Sequence, residues 1–425
     1  MDSLVILLFV SFVVILLLGI PVAYALGISS FIYILAAGID LFAIPQKMYA
    51  GMDSFVLLCI PGFVLAGNLM NVGGITQKIV DFGNTMFGHI RGGLGFANIG
   101  SSMIFAGISG TAIADTASVG GIMIPAMKKS GYDAEYACAI TAASSTIGPI
   151  IPPSVPMIIA GTLTGISVGK LFIAGLIPGI LIGVCQMGVN WYLSKKRQYP
   201  KEEKKTLREM VKSFKVAFWA ILMTVIILLG ILGGTFTPTE AAIVAVLYAF
   251  VVGLFVYKEL KLSMIPKLMI ESARSAASIM ILVGFANVFA WILASEQIPQ
   301  MVANAMLSLT TNKILIILLI NLLLLFVGMF METLSAIVIL FPVLLAVTRS
   351  LGMPDIQFAV MGVLNLVIGL VTPPVGVCLF VASKIGDITL VQISKAIMPF
   401  IIANLIVLAL VSFIEPITMW LPSFM

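Results

Sequence analysis

Ser145-Thr-Ile-Gly-Pro-Ile-Ile-Pro-Pro-Ser154 gathers three prolines, a glycine and three hydroxyls inside a chain that is otherwise strongly apolar. Proline lacks an N–H and its ring collides with the preceding turn, so Pro149, Pro152 and Pro153 cannot all continue one helix. The chain is expected to unwind here. Of its 425 residues 61% are hydrophobic and 10% charged, with a mean hydropathy of +1.18. Soluble domains carry about 25% charged residues. Apolar runs over 4–20, 171–193, 217–232, 241–257, 314–328 and 401–413 recur along the sequence, and a bilayer core takes about 20 residues to cross. A polytopic membrane protein with roughly ten to twelve helical passes is expected, some of them broken. The opening Met-Asp-Ser has no basic n-region, so 4–20 reads as a retained span rather than a signal peptide.

An unwound segment at bilayer depth has a chemical consequence. Each unpaired backbone group costs several kcal/mol in hydrocarbon, so such a segment persists only inside protein or beside a wet cavity. The freed carbonyls of Gly148, Ile150 and Ile151, with the hydroxyls of Ser145, Thr146 and Ser154, offer neutral oxygens that can replace the hydration shell of a small hard cation.

The same pattern occurs twice. Ile147-Gly-Pro-Ile-Ile-Pro-Pro153 lies over Ile368-Gly-Leu-Val-Thr-Pro-Pro374 without a gap, at a register of 221 that also matches Gly165 to Gly386 and Pro178 to Pro399. A second register of 217 places Asp115-Thr-Ala-Ser118 on Glu332-Thr-Leu-Ser335, Pro125 on Pro342 and Pro21 on Pro238. One four-residue insertion would reconcile the two. Between the halves lie Lys195, Lys196, Arg197, Lys201, Lys204, Lys205, Arg208, Lys212 and Lys215, opposed by three glutamates, which puts this segment in the cytoplasm. The expected organisation is a first repeat over 1–194 with a hairpin at 93–129 and a broken helix at 133–169. A basic linker at 195–215 leads to a second repeat over 216–425, with a hairpin at 313–348 and a broken helix at 355–390. Repeats built from broken helices mark secondary transporters with binding near the midplane.

The hairpins supply another wall. Phe105-Ala-Gly-Ile-Ser-Gly-Thr-Ala-Ile-Ala-Asp-Thr-Ala-Ser118 is small and polar between apolar flanks, as two half-helices meeting at a tip near 107–110 would be. Gly328-Met-Phe-Met-Glu-Thr-Leu-Ser335 makes the equivalent turn. Half-helix N-termini present free N–H groups that favour anions. Asp115 and Glu332, carboxylates in apolar surroundings, are functional candidates or braces of the hairpins.

Gly107-Ile-Ser-Gly-Thr-Ala…Ala-Asp-Thr, Ile147-Gly-Pro-Ile-Ile-Pro-Pro-Ser, Phe236-Thr-Pro-Thr-Glu-Ala-Ala and Gly328-Met-Phe-Met-Glu-Thr resemble the large membrane subunit of tripartite ATP-independent periplasmic (TRAP) transporters. The resemblance runs from about Gly19 to Pro399. It implies an all-α polytopic fold with inverted structural repeats, two re-entrant hairpins and two Pro-broken helices, whose transport domain moves as an elevator against a scaffold domain. It implies Na+-coupled uptake of an organic acid, such as sialic acid, another sugar acid or a C4-dicarboxylate, across the bacterial inner membrane. The implied partners are a small four-helix membrane (Q) subunit and a periplasmic solute-binding (P) protein. Carried over by motif, sodium site 1 would use Ser109, Gly148, Ile151 and Pro153, and sodium site 2 Gly328, Gly369, Thr372 and Val375. Substrate contacts would come from Ser109, Thr111, Ser154, Glu332 and Thr333, with Asp115 as a supporting carboxylate.

Other readings stay open at this point: a stand-alone sodium/dicarboxylate symporter, or an ion channel whose broken helices line a pore. A hydrolase lacks a nucleophile–base pair, since His89 is the only histidine. Gly165-Ile-Ser-Val-Gly-Lys170 is too short between its glycines for a phosphate loop. Thr237-Pro-Thr-Glu240 has the form of a capping box. Glu271 and Arg274 are spaced to pair at i,i+3. Cys59, Cys138, Cys185 and Cys378 read as buried thiols, and neither a metal cluster nor an organic cofactor is expected.

Overall fold

The computed structural model describes residues 3–201, 203–310 and 312–424; the side chains at 107–109, 307 and 309 lie outside that description. Among the described residues the protein is all-helical. The first half contains α1 (Ser3–Leu17), α2 (Val22–Ala36), α3 (Ala43–Met52), α4 (Cys59–Val72), α5 (Ile75–Phe87), α6 (Gly93–Ser109), α7 (Ala112–Lys129), α8 (Ala134–Ser144), α9 (Val155–Thr164) and α10 (Val168–Lys196). The second contains α11 (Leu207–Leu232), α12 (Pro238–Val251), α13 (Ile265–Ser295), α14 (Ile298–Leu309), α15 (Lys313–Phe330), α16 (Thr333–Ser350), α17 (Asp355–Gly369), α18 (Val377–Gly386), α19 (Leu390–Phe413) and the short α20 (Pro416–Met419). By length and composition, 8 helices of the described residues can cross a membrane, and shorter apolar helices accompany them.

Helix starts follow local chemistry. Thr237 and Glu240 form the capping box at the head of α12 that their spacing predicts, and Thr206 with Glu209 does the same for α11. Lysine and arginine are good helix formers, so α10 runs to Lys196 and α11 opens at Leu207. Among the described residues the basic segment is therefore helical at both ends and irregular only between them. On α13, Glu271 pairs with Lys267 one turn earlier (3.9 Å) rather than with Arg274. A single turn of spacing in the other direction satisfies the carboxylate equally well.

The second helix of each hairpin and the start of each broken helix follow one register. α7 and α16 begin 221 residues apart and end 221 apart, and α8 and α17 begin at the same offset. The 217 register is not realised in the hairpins: Thr111, not Asp115, stands where Glu332 stands, each as the N-cap of its helix. A four-residue slip is about one helical turn and keeps each residue on its own face, which is why it matched in apolar sequence.

Two packing groups emerge. In one, α4 packs on α12 and α13, and α13 on α2 and α3. In the other, the halves interleave: α7 packs on α18 from the second half, and α16 packs on α9 from the first. Long α10 and α19 lie together, joined by a buried amide bridge in which Gln186 Nε2 donates to Asn404 Oδ1 (2.9 Å) and Asn404 Nδ2 donates to Thr146 Oγ1 (3.3 Å).

Candidate functional site: two broken helices and the hairpin tips

The prolines break both helices as expected. After α8 the chain tightens into a single 3-10 turn, Ser145–Ile147, continues through a further turn closed by Ile151 N on Ile147 O, and then runs irregularly until Ser154 caps α9. α17 ends at Gly369, and α18 restarts at Val377. Pro152-Pro153 and Pro373-Pro374 are both cis. The first break is buried inside protein, with Ile147, Ile150 and Ser154 fully inaccessible and Ile151 5% exposed; the second is buried at Val371 and Thr372 (8% exposed) and reaches the surface at Pro374. This is the environment that unwound backbone at bilayer depth needs.

Each break meets the tip of its hairpin. Gly110, between α6 and α7, has φ +61°, and a Cβ there would stand 2.9 Å from the Pro153 carbonyl oxygen. Only glycine satisfies both demands. In the second half Gly328 of α15 lies directly on Gly369: a Cβ on Gly369 would stand 2.8 Å from the Gly328 carbonyl oxygen. Gly376 N donates to Met329 O (3.2 Å), a further backbone tie between break and hairpin.

Sodium-site-1 candidates Gly148, Ile151 and Pro153 thus share one buried loop, with the Gly110 tip against it. Gly148 N donates to Ser145 O (3.2 Å) and Ile151 N to Ile147 O (3.0 Å). Among the described residues, no backbone hydrogen bond from outside the helices ends on the carbonyl oxygens of Gly148, Ile151 or Pro153. The side chain of Ser109 lies outside the described residues. At the second break Gly328, Gly369 and Thr372 converge: Thr372 N donates to Gly369 O (3.0 Å) and Thr372 Oγ1 to Ile368 O (2.7 Å). That bond uses the hydroxyl proton and leaves the oxygen's lone pairs. Val375 follows on the same loop and is partly buried.

The substrate candidates separate. Thr333 is buried with no hydrogen-bond partner for Oγ1, and Glu332 is partly buried. Glu332 caps α16, accepting from Leu334 N (2.9 Å) and Ser335 N (3.4 Å), so this carboxylate occupies the N–H groups that an incoming anion would seek. Ser154 is fully buried, donates to Pro149 O and accepts from Met157 N (3.2 Å). Its hydroxyl is committed to shaping the break and to capping α9. Thr111 stands apart from these, on the wall of a cavity.

That cavity, of about 190 Å³, lies between α7 and the pair α4 and α13, with Asn68, Asn71, Thr111, Ser118 and Ser275 as its polar lining. Sequence reasoning found only Thr111 of these. Ser118 closes the hairpin stretch without being singled out there; Asn68, Asn71 and Ser275 lie in ordinary helices with no motif around them, and only the meeting of three helices makes them neighbours. Asp115 points the other way. It is fully buried, both carboxylate oxygens lack hydrogen-bond partners, and the Ser102 hydroxyl lies nearby outside bonding geometry. Around it α6 and α7 are pinned to the first broken helix by Asn98–Thr141 (2.6 Å), Ser102–Ser144 (3.0 Å) and Thr116–Ser145 (2.7 Å).

Residues 9–417 match the family described as tripartite ATP-independent periplasmic transporter, DctM component. The chain belongs to that family. This TRAP large permease is 42% identical over 408 residues to the sialic acid TRAP transporter large permease protein SiaM of Vibrio cholerae, covering 95% of each chain. It is 38% identical over 411 residues to the sialic acid TRAP transporter permease protein SiaT of Haemophilus influenzae, covering 96% of this chain and 67% of that one. The fold of the permease resembles the crystal structure of the Alcanivorax borkumensis YdaH transporter, titled as having an unusual topology. That match has a TM-score of 0.64 at 13% identity and covers 87% of this chain and 86% of the other. The permease is a multi-pass membrane transport protein, consistent with the bacterial inner membrane, and not an enzyme.

Proposed function

We propose that this permease carries out sodium-coupled uptake of an organic acid as the large subunit of a three-part transporter. A small four-helix membrane subunit and a periplasmic solute-binding protein complete it. The observation that carries the reading is the pair of Pro-broken loops, each pressed against a hairpin tip. The candidate ligands there are main-chain carbonyls and hydroxyls, neutral oxygens that suit a monovalent hard cation that must be bound and then released. Gly148, Ile151 and Pro153, with Ser109, would hold one sodium ion; Gly328, Gly369, Thr372 and Val375 would hold the second.

The relatives named for sialic acid support an acidic solute. An anion crossing an apolar barrier gains from neutralisation by co-bound sodium, so cation and acid sites close to the same tips give coupling without ATP. Interleaving of α7 with α18 and of α16 with α9 supports treating both hairpins and both broken helices as one rigid carrier. It would slide against a scaffold containing α4 and α13, with the halves at 1–194 and 216–425 inverted relative to each other.

Reconstitution of the three proteins in liposomes tests this. Acid uptake should require an inward sodium gradient and the binding protein, and should saturate with substrate. Uptake that persists in choline, or that needs no binding protein, would overturn the assignment.

A further inference from the structure

Asn68 and Asn71 sit at i,i+3 on one face of α4, opposite Ser275 of α13, and all three line the 190 Å³ cavity that also contains Thr111 and Ser118 of α7. Both asparagines are oriented by neighbours. Asn68 Nδ2 donates to Ser272 Oγ (2.8 Å), which leaves its carbonyl oxygen as an acceptor; Asn71 Oδ1 accepts from Thr76 Oγ1 (3.3 Å), which leaves its amide as a donor. The wall therefore offers a fixed acceptor, a fixed donor and a serine hydroxyl, and among the described residues no charged side chain lines the cavity.

We propose that Asn68, Asn71 and Ser275 form a subsite that hydrogen-bonds the uncharged, hydroxyl- or amide-bearing part of the transported acid while α7 faces α4 and α13. This deepens the function proposed above and rests on it. Hydroxyls and amides both donate and accept, so they can satisfy Asn68 and Asn71 together. A second carboxylate is acceptor-only: it can take the Asn71 amide and the wall hydroxyls, but it finds no cationic partner, leaves the Asn68 carbonyl oxygen unpaired and is repelled by it. The substrate class is thus an acid with one carboxylate and a polyhydroxylated remainder, rather than a C4-dicarboxylate. A site built to pair with hydroxyls also rejects a ligand lacking them, because its own polar groups are then left unpaired.

Equilibrium binding to the membrane complex of permease and small subunit in nanodiscs, in sodium, bypasses the selectivity of the binding protein. The probes are N-acetylneuraminate and succinate. The wild-type complex should bind the sugar acid more tightly. Ser275→Ala, on an exposed helix face, and Asn71→Asp, which replaces the donor by an acceptor of the same shape, should each weaken sugar-acid binding about three- to tenfold. The sodium half-saturation should stay unchanged. Tighter binding of succinate, or sugar-acid affinity unaltered in both variants, overturns the subsite. Sodium-driven uptake intact with these variants silent would sink this inference alone, whereas loss of sodium dependence in the wild type would sink the function beneath it.

Discussion

Thr372 shows how much one side chain does at a broken helix. Its hydroxyl donates to Ile368 O (2.7 Å) and so closes the last turn of α17, while its oxygen remains able to face a cation. Thr372→Ala should raise the sodium concentration for half-maximal uptake about three- to tenfold with little change in substrate preference, and Thr372→Ser should restore it. Sodium titration of proteoliposome uptake measures both, and an unshifted alanine variant would remove Thr372 from the ion site. At the α7–α8 turn the charges act on stability instead. Asp133 accepts from Tyr199 Oη (2.6 Å) and Arg197 Nη1 (2.8 Å), and these partners, the tyrosine foremost, hold its carboxyl below the usual range. A carboxyl depressed in the folded state stabilises above its unfolded value, near pH 4, and the contribution is lost as pH falls through the folded value. Asp133→Asn should therefore melt below wild type at neutral pH, with the gap closing in acid. Melting curves taken across that range decide it, and a gap that widens in acid would refute it.

At the scale of elements, the break and the hairpin tip work as a pair. Gly328 and Gly369 touch through their backbones, and a Cβ on Gly369 would meet the Gly328 carbonyl oxygen at 2.8 Å. Neither chain segment can yield without moving a helix, and overpacking of this kind costs about 1–3 kcal/mol. Gly369→Ala should lower sodium affinity more than tenfold while the protein still inserts and purifies; an alanine variant with wild-type sodium affinity would show that the tip need not approach the break. The proline clusters made the two breaks legible in the sequence, because proline's missing donor is a local fact. A bracing role for Glu332 is one of the two readings its sequence allows, but not its register as N-cap, since Asp115, a carboxylate one turn on in the other hairpin, offers an equally good match on the same helix face. The sequence likewise does not show that the Ser154 hydroxyl bonds Pro149 O and Met157 N, bonds that depend on the path of the break.

Across the whole molecule, the two halves are neither independent nor merely adjacent. α7 rests on α18 and α16 on α9, while Gln186 and Asn404 join the long helices across the chain midpoint. Such crossings cannot be read from a register, because a register says which residues correspond and not which ones meet. The same holds for the cavity formed by Asn68, Asn71 and Ser275, three residues with no shared motif. What composition and spacing did convey was the class of molecule and the two points where helices fail. The account as a whole depends on those two points binding sodium through main-chain oxygens. Cryo-electron microscopy of the complex in sodium and in choline tests this most directly. Density should fill both breaks in sodium, in contact with the carbonyls of Gly148 and Gly369, and vanish in choline. Breaks identical in the two salts, with no density between the loops and the tips, would contradict it.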